Sequence, residues 1–202
     1  MKHFFDTVAR NTFNYYNKSS IHNIEFEIRL GRLHSKGFDT NVGEETFAKV
    51  LKGLKKYPDW EEVKVTDVEV FSYENGLRYT LDTNTEKSET IQKTQVKKVD
   101  YRLEGTPFDL RFSVASEKSI GTECPEGAEP IRMVQKYRES FIRKNLSIDM
   151  TILTGDHQDD PDAEDEQVYQ IELEIIDPKK VQSDNDLYAH CHKVKCLLDL
   201  LK

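Results

Sequence analysis

The sequence predicts a mainly β protein with flanking helices (α+β), built on a closed eight-stranded antiparallel β-barrel with a polar lumen. Three observations predict it. The chain reads as about eight strands in close succession. On strand after strand one face is polar. Apolar content is lean for so much strand, with 37% of residues hydrophobic, 33% charged and a mean hydropathy of -0.70. A closed barrel leaves no exposed sheet edge, and a polar lumen with apolar residues turned outward under helices needs less apolar content than a filled interior. At 202 residues the chain suits one domain, spanning 1–202.

The elements follow in order. From Lys2 to about Tyr16, Phe4, Phe5, Val8, Phe13 and Tyr16 recur at helical spacing, and Ser19, Ser20 and Asn23 break the pattern. A first strand covers Ile24 to Leu33. Gly43 to Lys56 reads as a helix with Phe47, Val50, Leu51 and Leu54 on one face, closed by Pro58. Further strands are expected at Lys64 to Tyr73, Leu77 to Asp82, Thr90 to Leu103, Phe108 to Lys118, Arg132 to Lys144, Leu146 to Leu153 and Val168 to Ile176. Glu74-Asn75-Gly76 and Lys144-Asn145 are hairpin signals. Ser119 to Pro130 and the acidic stretch Gly155 to Glu166 read as loops, the second a solvated excursion because it lacks the ordered spacing and central glycine of a calcium loop. A last helix runs from about Asp184 to Leu201, capped by Ser183 or Asp184, with Leu187, His190, Val194, Leu197, Leu198 and Leu201 as its apolar stripe.

The chemistry lies in the alternation. In Ile24 to Arg32, Glu25, Glu27 and Arg29 share one face opposite Ile24, Phe26, Ile28 and Leu30; in Tyr169 to Ile176, Gln170, Glu172 and Glu174 oppose Ile171, Leu173 and Ile175. Carboxylates gathered in an enclosed space repel one another, and a divalent cation on their oxygens relieves the repulsion. Other strands carry cations at the same alternation: Arg78 with Thr80, Arg111 with Ser113, and Arg132, Lys136 and Arg138 on one face, while Ser147, Asp149 and Thr151 share another. A solvent-facing strand tends to mix signs, whereas here signs segregate by strand, which predicts opposed walls: an acidic floor for Mg²⁺ or Mn²⁺ and a basic wall for a polyphosphate.

A net charge of -8 and a pI near 5.3 exclude broad, sequence-independent binding to a nucleic-acid backbone, leaving room for a concealed positive cluster. Cys124, Cys191 and Cys196 have no metal-ligand spacing and read as reduced thiols of an intracellular protein. His190 and His192 point apart on a helix and read as surface or packing residues. No signal peptide is read, and no apolar run approaches the ~20 residues that span a bilayer.

On these motifs the chain resembles the metal-dependent RNA 5′-triphosphatases of mRNA capping found in fungi, protozoa and large DNA viruses, within the triphosphate tunnel metalloenzyme superfamily. By that resemblance Glu25 and Glu27 correspond to the first metal-binding pair and Glu172 and Glu174 to the second. Arg111 matches the basic residue of a Leu-Arg-x-Ser strand, Lys136 and Arg138 a Lys-x-Arg strand, and Asp149 with Thr151 the short strand after it. Some relatives carry a third glutamate where this chain has Gln170, and a further basic residue where it has Val134.

The resemblance implies removal of the γ-phosphate from a 5′-triphosphate RNA end, the first step of cap formation, with NTP hydrolysis as a side activity. Glu25, Glu27, Glu172 and Glu174 would hold the cation; Arg111, Lys136 and Arg138 would act on the phosphates in catalysis, and Arg29, Arg78, Arg132, Asp149 and Thr151 would serve substrate binding. Glu117 is picked by parity alone to orient the attacking water. The expected partners are the RNA end and a guanylyltransferase domain or subunit, with no membrane and no sequence-specific nucleic-acid contact, in the nucleus or a cytoplasmic viral factory. Two alternatives stand beside this one: a tunnel enzyme for thiamine triphosphate, tripolyphosphate or a nucleotide, and a barrel that binds a polyphosphate or RNA end without cleaving it.

Overall fold

Antiparallel pairing is set by tight turns whose residues tolerate left-handed backbone. The computed structural model describes residues 2–18, 23–155 and 167–201. In order they form α1 (Lys2–Lys18), β1 (Ile24–His34), β2 (Gly37–Asp39), α2 (Glu44–Lys56), β3 (Glu62–Ser72), β4 (Leu77–Asp82), β5 (Ser88–Tyr101), β6 (Asp109–Gly121), β7 (Arg132–Arg143), β8 (Leu146–Thr154), β9 (Val168–Ile175) and α3 (Asp184–Asp199). Asn75 and Gly76 (φ 62° and 76°) turn β3 into β4, and Lys144 (φ 55°) turns β7 into β8. Neighbours run β1-β6-β5-β4-β3-β7-β8-β9, and β9 pairs back onto β1 through Glu27↔Glu174, Ile28↔Leu173 and Arg29↔Glu172. Eight strands therefore close into the expected barrel.

The hydrophobic core sits outside that ring. Phe26, Ile28 and Leu30 of β1, Leu110, Phe112 and Val114 of β6, Ile148 and Met150 of β8, and Ile171, Leu173 and Ile175 of β9 join one buried cluster with Phe5 and Val8 of α1, Phe47, Val50 and Leu54 of α2, and Leu187, Val194, Leu197 and Leu198 of α3. Period-two alternation turns the other face of the same strands into the bore. The bore is not polar throughout: Val70, Val134 and Leu153, with Val68 and Val168 packed on them, form a small apolar strip on the Lys136 side.

Several boundaries differ from expectation. β2 was not anticipated, because three residues after a turn show no alternation to read; it folds back on β1 over Gly31, where a Cβ would lie 2.2 Å from the Asp39 carbonyl and 2.4 Å from the Phe38 ring. Ser119, Ile120 and Gly121 extend β6 rather than opening the loop, since Ser119 and Gly121 pair with Ile91 and Thr90. On α3 it is Cys191 that faces the core, while His190 turns its ring to the Asp186 carbonyl one turn back. That helix ends at Asp199, and Ser183 caps it in a reciprocal box with Asp186. Beyond Gly155, the acidic stretch read as a loop lies outside the described residues.

Candidate active site

Closure of β9 onto β1 brings the two Glu-x-Glu motifs side by side. Glu27 lies directly across from Glu174 and Arg29 across from Glu172, with Glu25 one step further along β1. On the other side of β9, Asp149 lies across from Glu172 and Thr151 from Gln170; beyond β8, Arg138 lies across from Thr151. Residues directly opposite in antiparallel strands share a face, so all of these point into the bore.

Charges interlock there. Glu172 pairs with both walls, with Arg29 Nε at 2.7 Å and Arg138 Nη2 at 2.5 Å. Arg138 also donates through Nη1 to Asp149 at 2.7 Å and through Nε to Thr151 at 2.9 Å, so three acceptors fix its planar fork. Arg29 donates to Glu27 at 2.9 Å. Ser147 donates to the other oxygen of Asp149. Glu27, Asp149, Thr151 and Glu172 are buried.

Electrostatics sets Glu172 apart from Glu174 and Glu25. Burial by itself would raise the Glu172 carboxyl, but the guanidiniums of Arg29 and Arg138 outweigh it and hold it at about 2. Glu174 is pushed the other way, to about 7, by burial and then by the neighbouring Glu25 and Asp149. Glu25 is raised too, by burial and Glu27, against the pull of Lys93. Lys136 drops to about 8, first by burial and then by Arg138, with Arg78 adding to it. Its cross-strand neighbours Val68 and Leu153 are apolar, which explains the missing hydration.

Two basic residues sit apart. Arg111 faces the bore, directly across from Arg29, but its guanidinium is held by Asp100 at 2.7 and 2.9 Å and stacks 4.6 Å from the Phe38 ring centroid. Arg132 is exposed at the start of β7, across from Ser72, which in turn faces Arg78. At the two positions that depart from the resemblance, Gln170 donates to Thr40 at 2.7 Å and Val134 is buried in the apolar strip.

Sequence reading missed Lys93. This β5 residue reaches into the bore, donates to Glu25 and lies 3.0 Å from Glu117. A β-bulge between Gln95 and Lys97 hid it: Lys93 pairs with Glu117 before the bulge and Asp100 with Arg111 after it, so bore-facing positions switch from odd to even along one strand. A strict period-two reading cannot place both, although Glu117 does face the bore as parity predicts.

Among the described residues no three carboxylates already stand in ligating geometry. As a donor set they still suit a hard divalent cation. Glu25, Glu27 and Glu174 offer only oxygens, and the raised carboxyls of Glu25 and Glu174 mark negative charge short of compensation. Glu172 is already neutralised by two guanidiniums.

A family described as mRNA capping enzyme, beta chain, matches residues 70–200, well over half of the chain. No curated protein matches the chain in sequence. Among solved structures it is similar to the Pct1 RNA triphosphatase of S. pombe, with a TM-score of 0.79 at 15% identity over 96% of this chain and 92% of that one. The same yeast protein in complex with the Spt5 CTD matches at 0.79 and 16% identity, over 96% and 92%. The RNA triphosphatase domain of a trifunctional mimivirus mRNA capping enzyme matches at 0.62 and 15% identity, over 95% and 97%. At such identities the structural likeness speaks for the fold.

Proposed function

Because the chain belongs to the mRNA capping enzyme β-chain family, and is thereby a metal-dependent RNA 5′-triphosphatase, we propose that its bore is where the γ-phosphate leaves the RNA end and that the interlocked charges there carry out the reaction. The observation that supports this most directly is the Glu172 junction, where Arg29 and Arg138 meet on one carboxylate between an acidic and a basic wall.

Phosphoryl transfer asks for positioning and charge compensation more than for covalent chemistry. Water attacks the γ-phosphorus in line, the bond from that phosphorus to its bridging oxygen breaks, and the products are inorganic phosphate and a 5′-diphosphate end. Arg138, held by Asp149, Thr151 and Glu172, presents its guanidinium to the non-bridging oxygens without reorganising. Lys136 enters as a poorly hydrated ammonium crowded by Arg138 and Arg78, and phosphate oxygens supply compensating charge. Arg78 and Arg29 extend the positive wall; Arg132 at the rim receives the adjoining RNA phosphates. Arg111 serves the same anion through its fixed position beside Asp100 and Phe38. Glu25, Glu27, Glu172 and Glu174 would hold Mg²⁺ or Mn²⁺, the charge on Glu172 being already shared with Arg29 and Arg138. When bound, that ion supplies Lewis-acid polarisation of a γ-phosphate oxygen. Glu117 is the bore carboxylate assigned to orient the water.

The bore reads a triphosphate and little of the group attached to it, so NTP hydrolysis is expected beside RNA hydrolysis. A guanylyltransferase, in the same or another polypeptide, would consume the diphosphate end wherever transcripts are made. The test is phosphate release from γ-labelled triphosphate RNA, ATP and tripolyphosphate with Mg²⁺ or Mn²⁺. Release from RNA that is lost in Glu27→Ala supports the assignment; release from tripolyphosphate alone would move it to a small substrate, and none from any of them would remove it.

A further inference from the structure

We propose that Lys93 is a resident counter-cation of the acidic floor, so that a divalent ion binds by exchange, displacing the Lys93 ammonium from Glu25. This rests on the proposed metal role of Glu25, Glu27 and Glu174. The ammonium bridges Glu25 and Glu117, and both Lys93 and Glu25 side chains are only 16% exposed. The adjacent bulge in β5 is backbone, not a mobile side chain, so Lys93 enters the bore as part of the barrel's architecture.

Exchange has a consequence for which ions are accepted. Glu25 and Glu27 already face positive partners, Lys93 on one and Arg29 on the other. A singly charged ion arriving at Glu25 offers no more charge than the ammonium already there. A doubly charged ion reaching Glu25, Glu27 and Glu174 together compensates more than it displaces. Lys93 thereby weakens cation binding across the board and leaves divalent ions able to offset the displacement. The ammonium stays tethered in the bore after release, with Glu117 as its remaining partner.

The experiment uses the whole chain freed of metal with a chelator. Mn²⁺ titration by calorimetry should give a dissociation constant roughly tenfold or more tighter in Lys93→Met than in wild type, with Lys93→Arg, which keeps the charge, close to wild type. In parallel, the side-chain ¹⁵N signal of Lys93 in the wild-type protein, identified by its loss in Lys93→Arg, should shift on Mg²⁺ addition with the same midpoint as binding. The NMR arm needs no variant to bind anything, so a misfolded Lys93→Met leaves it intact. Equal or weaker Mn²⁺ affinity in a folded Lys93→Met, or a Lys93 signal that Mg²⁺ leaves in place while the ion binds, overturns the exchange. Absence of Mn²⁺ binding in folded wild type and variant alike overturns the metal role of the floor, and the exchange with it.

Discussion

Arg138 ties together three groups of the site: Glu172, Asp149 and Thr151 each take one arm of its fork. Lysine keeps the charge and loses the fork. Arg138→Lys should therefore lower kcat by about 100-fold with little change in thermal stability, read by single-turnover phosphate release; loss in KM alone would place Arg138 in binding only. Glu174 gives a pH signature. Its carboxyl titrates near 7 in the fold against an ordinary 4.5, so the folded protein binds that proton more tightly than the unfolded chain does. Stability from this group is complete below about 4.5 and is lost as pH rises through about 7. Melting in chelator from pH 5 to 8 should show that fall in wild type, a shallower one in Glu174→Gln, and recovery at pH 7.5 on adding Mn²⁺. The Glu-x-Glu faces were legible because a regular strand hides nothing from a period of two. Lys93 and Asp100 were not, because one extra residue at the bulge inverts the parity between them.

At the scale of elements, the eight barrel strands announced themselves, down to the six-residue β4, and the three-residue β2 did not. β1, β7, β8 and β9 keep alternation over most of their length, and their bounds fall within a residue or two of expectation. β2 owes its existence to a partner rather than a pattern: Phe38 covers Gly31 and stacks on Arg111, contacts no local propensity encodes. Gly31→Ala should push β2 off β1 and cost about 1–3 kcal/mol in urea unfolding, with Arg111 losing its aromatic cover. An unchanged midpoint would mean that β2 contributes nothing to the barrel end. On α3 the helix was legible and its buried face was off by one residue, Cys191 in place of His190, because thiol and imidazole differ little in a helical pattern while burial strongly prefers the thiol.

Across the whole molecule, stability and chemistry occupy opposite faces of the same strands. Phe112, on the outer face against Phe26 and Tyr101, lies in the buried cluster that the barrel shares with its helices. Phe112→Ala should cost about 3–5 kcal/mol in denaturant unfolding. Lys136→Met should do the reverse, raising Tm at pH 7 because it removes a charge that Val68, Leu153 and Arg138 disfavour, while abolishing phosphate release. A stabilised and active Lys136→Met would separate Lys136 from the reaction.

The ring is joined between β1 and β9 by three register pairs, two of which carry Glu27, Glu174, Arg29 and Glu172. Chain ends far apart in sequence meet at this joint, so the loop-closure entropy of the whole barrel falls due there. A chain that has folded everything except this joint is a curled open sheet with a dispersed reaction centre. Circularisation and competence thus arrive in one event, and a cation held as proposed by Glu25, Glu27 and Glu174 would work as a buckle as much as a reagent.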